Sequence, residues 1–188
     1  MKVEVDIFKG RDSTPVLVSQ FDAHPSITMG FEFTSTGFGD ITNHFLSFDT
    51  PSINELQIQQ DSSNPNLIII PSNGIYEITC NSRVVSTSSG NNNARVGLTI
   101  KALICTDYDV NAESNNFVED AHGVASNYST RHKNTGQSDI NEGGVSLTRL
   151  FDLQEGDAMR FGLSAKFNTD VVSAEIINGT FLIVKKIS

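Results

Sequence analysis

The chain has 188 residues, enough for one domain that buries roughly 70% of its unfolded surface and needs no disulfide staples. Its 13 Lys and Arg stand against 22 Asp and Glu, a formal net charge of -9. A surface this acidic repels phosphate backbones, which excludes a general nucleic-acid binder. Polarity is carried instead by Asn, Ser and Thr, more than a quarter of the chain; these residues favour turns and strand surfaces, which argues against helical bundles, coiled coils and disordered tails.

Taken in chain order, hydrophobic residues recur with period two. Val3, Val5 and Ile7 alternate with Glu4 and Asp6, a strand pattern without the apolar core of an export leader. Residues 1–25 therefore read as an N-terminal arm or extra strand ahead of a domain spanning 26–188. Pro15 and Pro25 bracket Val16, Leu17 and Val18. Phe31 and Phe33, then Phe45 to Phe48, are further strand candidates, with a turn predicted over residues 35–40. Ile53, Leu56 and Ile58 precede a polar loop at 61–66. The aliphatic run 67–70 and the later run 181–184 are each far shorter than the ~20 residues of a spanning helix, so no membrane insertion is expected.

The pattern sharpens in the second half. Tyr76, Ile78 and Cys80 share one strand face, and residues 86–93 read as a polar loop. Val96, Leu98, Ile100, Ala102 and Ile104 alternate with polar or small residues. Residues 106–144 are mostly polar, with strand hints at 117–118 and 124–128. Strong alternation returns at Val145, Leu147 and Leu153, then at Met159, Phe161, Leu163 and Ala165. No segment carries a helical stripe of useful length. Eight or more short strands separated by turns indicate an all-β sandwich or jelly roll.

Four pieces of the C-terminal part occur in a family order. Pro71, Gly74 and Tyr76 match a P-x-x-G-x-Y strand entry. Residues 145–153 alternate Ser and Leu as a late strand does. Leu153, Gly156 and Asp157 match an L-x-x-G-D turn. Residues 178–183 match a closing F-x-G-x-L strand, with Asn178 in place of the first Phe. Over residues 65–188 the chain resembles the complement C1q and tumour-necrosis-factor family of globular heads. The resemblance implies a two-sheet antiparallel jelly-roll sandwich of ten strands, assembled as a homotrimer, with Gly74, Tyr76, Gly156 and Asp157 as the family's turn residues.

The last strand supports self-association independently. Phe181, Leu182, Ile183 and Val184 leave no polar face, whereas a strand with one wet face alternates. One side is read as core and the other as an oligomer interface; the alternative is that the N-terminal segment covers it. Other candidates are weaker. Residues 107–118 begin like a calcium loop but place Ala112 and Val118 where Gly and Glu are required. A non-EF calcium site is left to Asp107, Asp109, Glu119 and Asp120, against an acidic solvated loop as the default. His24, His44, His122 and His132 lack ligand spacing. Asn127 and Asn178 sit in glycosylation-type triplets that read as accidental. Cys80 reads as a buried small hydrophobe, and Cys105 falls on the opposite parity, so no bridge is expected. Nucleophile-elbow, P-loop and dinucleotide motifs are absent, and the chain is read as a cofactor-free non-enzyme.

Three roles fit. The first is a trimeric virion component that decorates or stabilises a capsid, as in bacteriophage, with capsid protein as partner. The second is a receptor- or glycan-binding head of a phage fibre or surface appendage. The third is a secreted ligand of the C1q and tumour-necrosis-factor type. All place the protein on a virion or at an extracellular surface.

Overall fold

The computed structural model describes residues 18–22, 28–29, 39–48, 51, 53–61, 64–88, 95–112, 114–131, 139–167, 171–176 and 180–187. Among the described residues thirteen strands form: β1 (Val18–Asp22), β2 (Thr28–Met29), β3 (Gly39–Phe45), β4 (Ile53–Asn54), β5 (Gln59–Asp61), β6 (Asn64–Ile69), β7 (Gly74–Ser88), β8 (Arg95–Cys105), β9 (Val118–Arg131), β10 (Asp139–Leu153), β11 (Ala158–Phe167), β12 (Val171–Ile176) and β13 (Phe181–Lys186). Every pairing is antiparallel.

The first sheet runs β10-β7-β13-β1-β4, and β12 followed by β2 continues beside β7 beyond the end of β13. The second runs β9-β8-β11-β6-β5, with β3 beside β11 beyond β6. Numbering the principal strands β1, β6, β7, β8, β9, β10, β11 and β13 from first to eighth, the sheets read first-eighth-third-sixth and second-seventh-fourth-fifth. That winding is a jelly roll, the fold expected from the sequence.

The core follows from alternation. Tyr76, Ile78, Cys80 and Val84 of β7 point between the sheets, with Val145, Leu147, Phe151 and Leu153 of β10 and Leu182 and Val184 of β13. Leu98, Ile100 and Ala102 of β8 meet them from the second sheet, with Met159, Phe161 and Leu163 of β11. Each buried large side chain contributes about 1.5–3 kcal/mol.

Several expectations are corrected. Residues 86–88 belong to β7, not to a loop, because β10 pairs Asp139 with Ser88 on one edge and β12 pairs Val171 with Ser88 on the other. The polar stretch 106–144 carries more strand than its hints at 117–118 and 124–128: β9 and the start of β10 are polar yet held by ladders to β8 and β7. Gly39 and Asp40 open β3 opposite Phe167 and Lys166 instead of closing a turn, and that strand ends at Phe45. Val18–Asp22, within the segment 1–25 read as an arm or extra strand, pairs with β13. The patterns at Val3, Val5 and Ile7 and at Phe31 and Phe33 lie outside the described residues.

One buried hydroxyl joins two strands that share an edge. Along β7, β13 pairs with residues 76–81 and β12 with 84–88. Thr180 bridges the gap at Arg83. Its Oγ1 accepts from the Arg83 N–H at 2.9 Å and donates to the Arg83 carbonyl at 3.3 Å, with the residue only 2% exposed. Thr180→Val keeps the shape and loses both bonds. It is expected to cost about 1–3 kcal/mol and to lower the melting temperature by on the order of 5 °C in a chain of this size. Thermal denaturation followed by circular dichroism reads the change, and an unchanged midpoint would deny the hydroxyl this role.

Candidate functional site: the outer face of the first sheet

The direction of β13 decides what its four apolar residues do. Leu182 and Val184 are fully buried between the sheets. Phe181 and Ile183 point the other way and are half-buried on the outer face. Register places them in rows across the sheet. Ile183 lies between Thr79 of β7 and Gln20 of β1, and Gln20 faces Ile53 of β4. Phe181 lies beside Asn81, and Leu150 of β10 lies beside Glu77, which in turn faces Lys185. The Ile187 N–H bonds the Ile75 carbonyl at 2.7 Å, which brings these two isoleucines together on this face.

These side chains are open to solvent: Leu150 is 56% exposed, Ile187 52%, Ile53 44% and Ile75 40%. The polar groups among them are already matched. Thr79 and Thr148 share a hydroxyl hydrogen bond at 3.0 Å, Lys185 Nζ donates to Glu77 at 2.8 Å, and Arg83 pairs with Glu142. A face with two internal ion pairs and protruding aliphatics suits packing against protein.

The family-turn residues lie elsewhere and are structural. Gly74 opens β7, and the Tyr76 hydroxyl donates to the Ser72 carbonyl at 2.6 Å. Gly156 has φ +88°, the left-handed region glycine supplies without strain. Asp157 Oδ2 accepts the Gln154 N–H at 2.8 Å. The Glu155 N–H donates to Asn73 Oδ1 at 2.8 Å, so two motif pieces 82 residues apart in the chain meet.

The four calcium candidates do not converge. Asp109 Oδ1 accepts the Asn111 N–H at 2.8 Å, Glu119 holds Lys101 at 2.9 Å, and Asp120 accepts the His122 and Gly123 N–H groups while facing Arg149 at 3.5 Å. Asp107 is exposed in the loop after β8. Among the described residues no three His, Cys, Asp or Glu side chains are grouped to hold a metal ion. Asp109, Glu119 and Asp120 each satisfy a separate donor, which is why adjacency in sequence does not become a cation cage. His122 is exposed, and His24 and His132 lie outside the described residues.

Cys80 and Cys105 are both free and buried. Cys80 faces the core, and Cys105 lies on the outer face of the second sheet, opposite Ala158. Burial pushes both thiols up from the ordinary range, so neither is an activated nucleophile.

Sequence reasoning missed a second cluster on that outer face. The Arg160 guanidinium sits 3.9 Å from the Phe45 ring centre and 4.0 Å from that of Phe117. Nearby, the Tyr108 hydroxyl donates to Asp61 Oδ2 at 2.7 Å. The one local signal is that Arg160 occupies the outward position between Met159 and Phe161; its ring partners come from the end of β3 and from the segment just before β9.

Among the described residues no helix is long and apolar enough to cross a membrane. No protein-family model matches the chain, and no curated protein matches it. Among solved structures, the chain is similar to the Eiger TNF of S. frugiperda, with 9% sequence identity over 93% of this chain and 94% of that one and a TM-score of 0.48.

Proposed function

We propose that the chain acts without catalysis as a homotrimeric surface module, a component that decorates or stabilises a virion, and that it self-associates through the outer face of its first sheet. The observation that carries self-association is the set of solvent-open aliphatics, Ile53, Ile75, Leu150 and Ile187, on the face that also holds Phe181 and Ile183. In an isolated antiparallel sandwich that face should be polar. Threefold assembly comes from the resemblance of residues 65–188 to trimeric heads. The particle role is supported by the acidic, Asn/Ser/Thr-rich composition, which keeps a densely arrayed protein soluble. A receptor- or glycan-binding head is the second reading, favoured by the shaped loop between β8 and β9, which exposes Val110.

Light scattering at micromolar concentration should give about three times the 20.4 kDa chain mass. Leu150→Lys places a charge on the proposed interface and is expected to yield a folded monomer with unchanged circular dichroism. A monodisperse wild-type monomer rejects the assembly. Incubating the trimer with candidate particles and with glycan arrays separates the two roles: stoichiometric coating supports decoration, and saturable glycan binding supports a head.

A further inference from the structure

The outer face of the second sheet should be wet, yet part of it is buried. Leu67, Cys105 and Ala158 point away from the core and are nevertheless 2%, 2% and 0% exposed. Leu103 flanks them, opposite Arg160. Over Cys105 lies the connection between β8 and β9, whose Asn116 backbone hydrogen-bonds the thiol.

That connection is shaped by its own bonds. The Asp109 N–H donates to Asn115 Oδ1 at 3.0 Å, and Asn115 Nδ2 donates back to the Asp109 carbonyl at 2.9 Å. The Ala112 N–H also donates to the Asp109 carbonyl, at 3.1 Å. Its attachments to the sheet are side chains: Phe117 on Arg160, Tyr108 on Asp61, and the Cys105 contact. Tyr108 and Phe117 also meet each other, ring centres 6.3 Å apart. A segment that is internally closed and held by a few outward contacts can lift as a unit without breaking a β ladder.

The clamp is incompletely satisfied. Arg160 is only partly hydrated, and burial lowers its pKa from the ordinary arginine range. Its Nε is buried without a hydrogen-bond partner. Two ring faces attract the cation, but they do not replace an acceptor for that N–H. Tyr108, by contrast, is a secure donor, since burial and the Asp61 carboxylate push its phenol up to about 12.

We propose that residues 106–112 and 114–117 form a latch over the outer face of the second sheet, closed by Arg160 between Phe45 and Phe117 and by Tyr108 on Asp61, and that its release uncovers Cys105 and the apolar strip of Leu67, Leu103 and Ala158 while both sheets stay intact. The latch is a conformational device of the single chain and does not rest on the self-association reading.

The two thiols report on it. In native protein treated with an aromatic disulfide reagent, each exposed thiolate forms a mixed disulfide and releases an aryl thiolate; mass spectrometry of peptides assigns the site. Cys105 is expected to react at least about tenfold faster than Cys80, which opens only with the core. Phe117→Ala should raise the Cys105 rate about tenfold and leave the Cys80 rate and the melting temperature near wild type. Tyr108→Phe removes only the hydroxyl and should raise the Cys105 rate several-fold, which decides the matter if Phe117→Ala fails to fold. Equal wild-type rates at both thiols, equal acceleration of both, or no acceleration of Cys105 would each overturn the latch.

Discussion

Lysine in place of Leu182 is expected to prevent the sandwich from forming, whereas lysine at the adjacent Ile183 is expected to leave it folded. Leu182 is fully buried, lies opposite Cys80 in the ladder between β13 and β7, and belongs to the single core between the sheets. Removing the leucine forfeits about 1.5–3 kcal/mol of burial. Leaving an unpaired ammonium in its place adds several kcal/mol more. The sum approaches the ~5–15 kcal/mol by which a domain is stable at all. Ile183 is one residue away but on the outer face, where its ammonium reaches water. Its effect should appear in assembly: a folded protein of lower mass by light scattering, with the far-ultraviolet spectrum of the wild type. Soluble yield and circular dichroism separate the two variants. A Leu182→Lys protein that melts within a few degrees of wild type would show the strand to be rotated by one residue, because a one-residue slip exchanges the faces.

The second large effect is expected at the turn between β10 and β11. Gly156 has φ +88°, and a Cβ built there meets nothing within 4 Å. Gly156→Val is therefore penalised by backbone conformation alone, about 1–3 kcal/mol. Asp157 is only 5% exposed, and Asp157→Ala removes the acceptor of the Gln154 N–H, a charge-assisted bond contributing about 1.5–3 kcal/mol. The turn also ties the sheet edge: the Gly156 N–H donates to the Ile70 carbonyl and the Ile70 N–H to the Asp157 carbonyl, both at 2.9 Å. Since the two residues share this network, their combined loss should be smaller than the sum of the single losses. Denaturant midpoints of both single variants and the double variant measure it. A wild-type midpoint for Gly156→Val would reject the strained-turn assignment, and strict additivity would reject the shared network.

How far the sequence reached depended on whether a feature is local. The positive φ at Gly156 and the carboxylate cap from Asp157 were legible because a turn's chemistry is contained in a few adjacent residues. The inward faces of β7, β8 and β11 were legible because alternation with period two is imposed by the strand itself. β9 left only strand hints at 117–118 and 124–128 because alternation is a signal of partial burial, and residues 118–131 carry mostly polar or small side chains. Its ladder to β8 holds it as a strand regardless.

For the candidate site the division is the same. Phe181 to Val184 showed by composition alone that both faces of the last strand are apolar, but parity cannot say which pair faces the core. The register against Cys80 and Ile78 decides it, placing Leu182 and Val184 inside. The spread of the calcium candidates has a related reason. Asp107 and Asp109 are near Glu119 and Asp120 in sequence, yet Lys101 from the neighbouring β8, Arg149 from β10 of the other sheet and nearby backbone donors hold Glu119 and Asp120 separately. The Phe45-Arg160-Phe117 stack left only the outward position of Arg160 in the sequence, since its members lie on β3, on β11 and just before β9 and meet only when the second sheet has assembled. The sequence by itself thus determined an all-β chain, its main inward faces and its sharpest turn, because those follow from backbone geometry and side-chain period. Tertiary structure alone decided which apolar face is left open, which carboxylates are occupied and what lies beneath the β8–β9 connection, because each depends on register between strands distant in the chain.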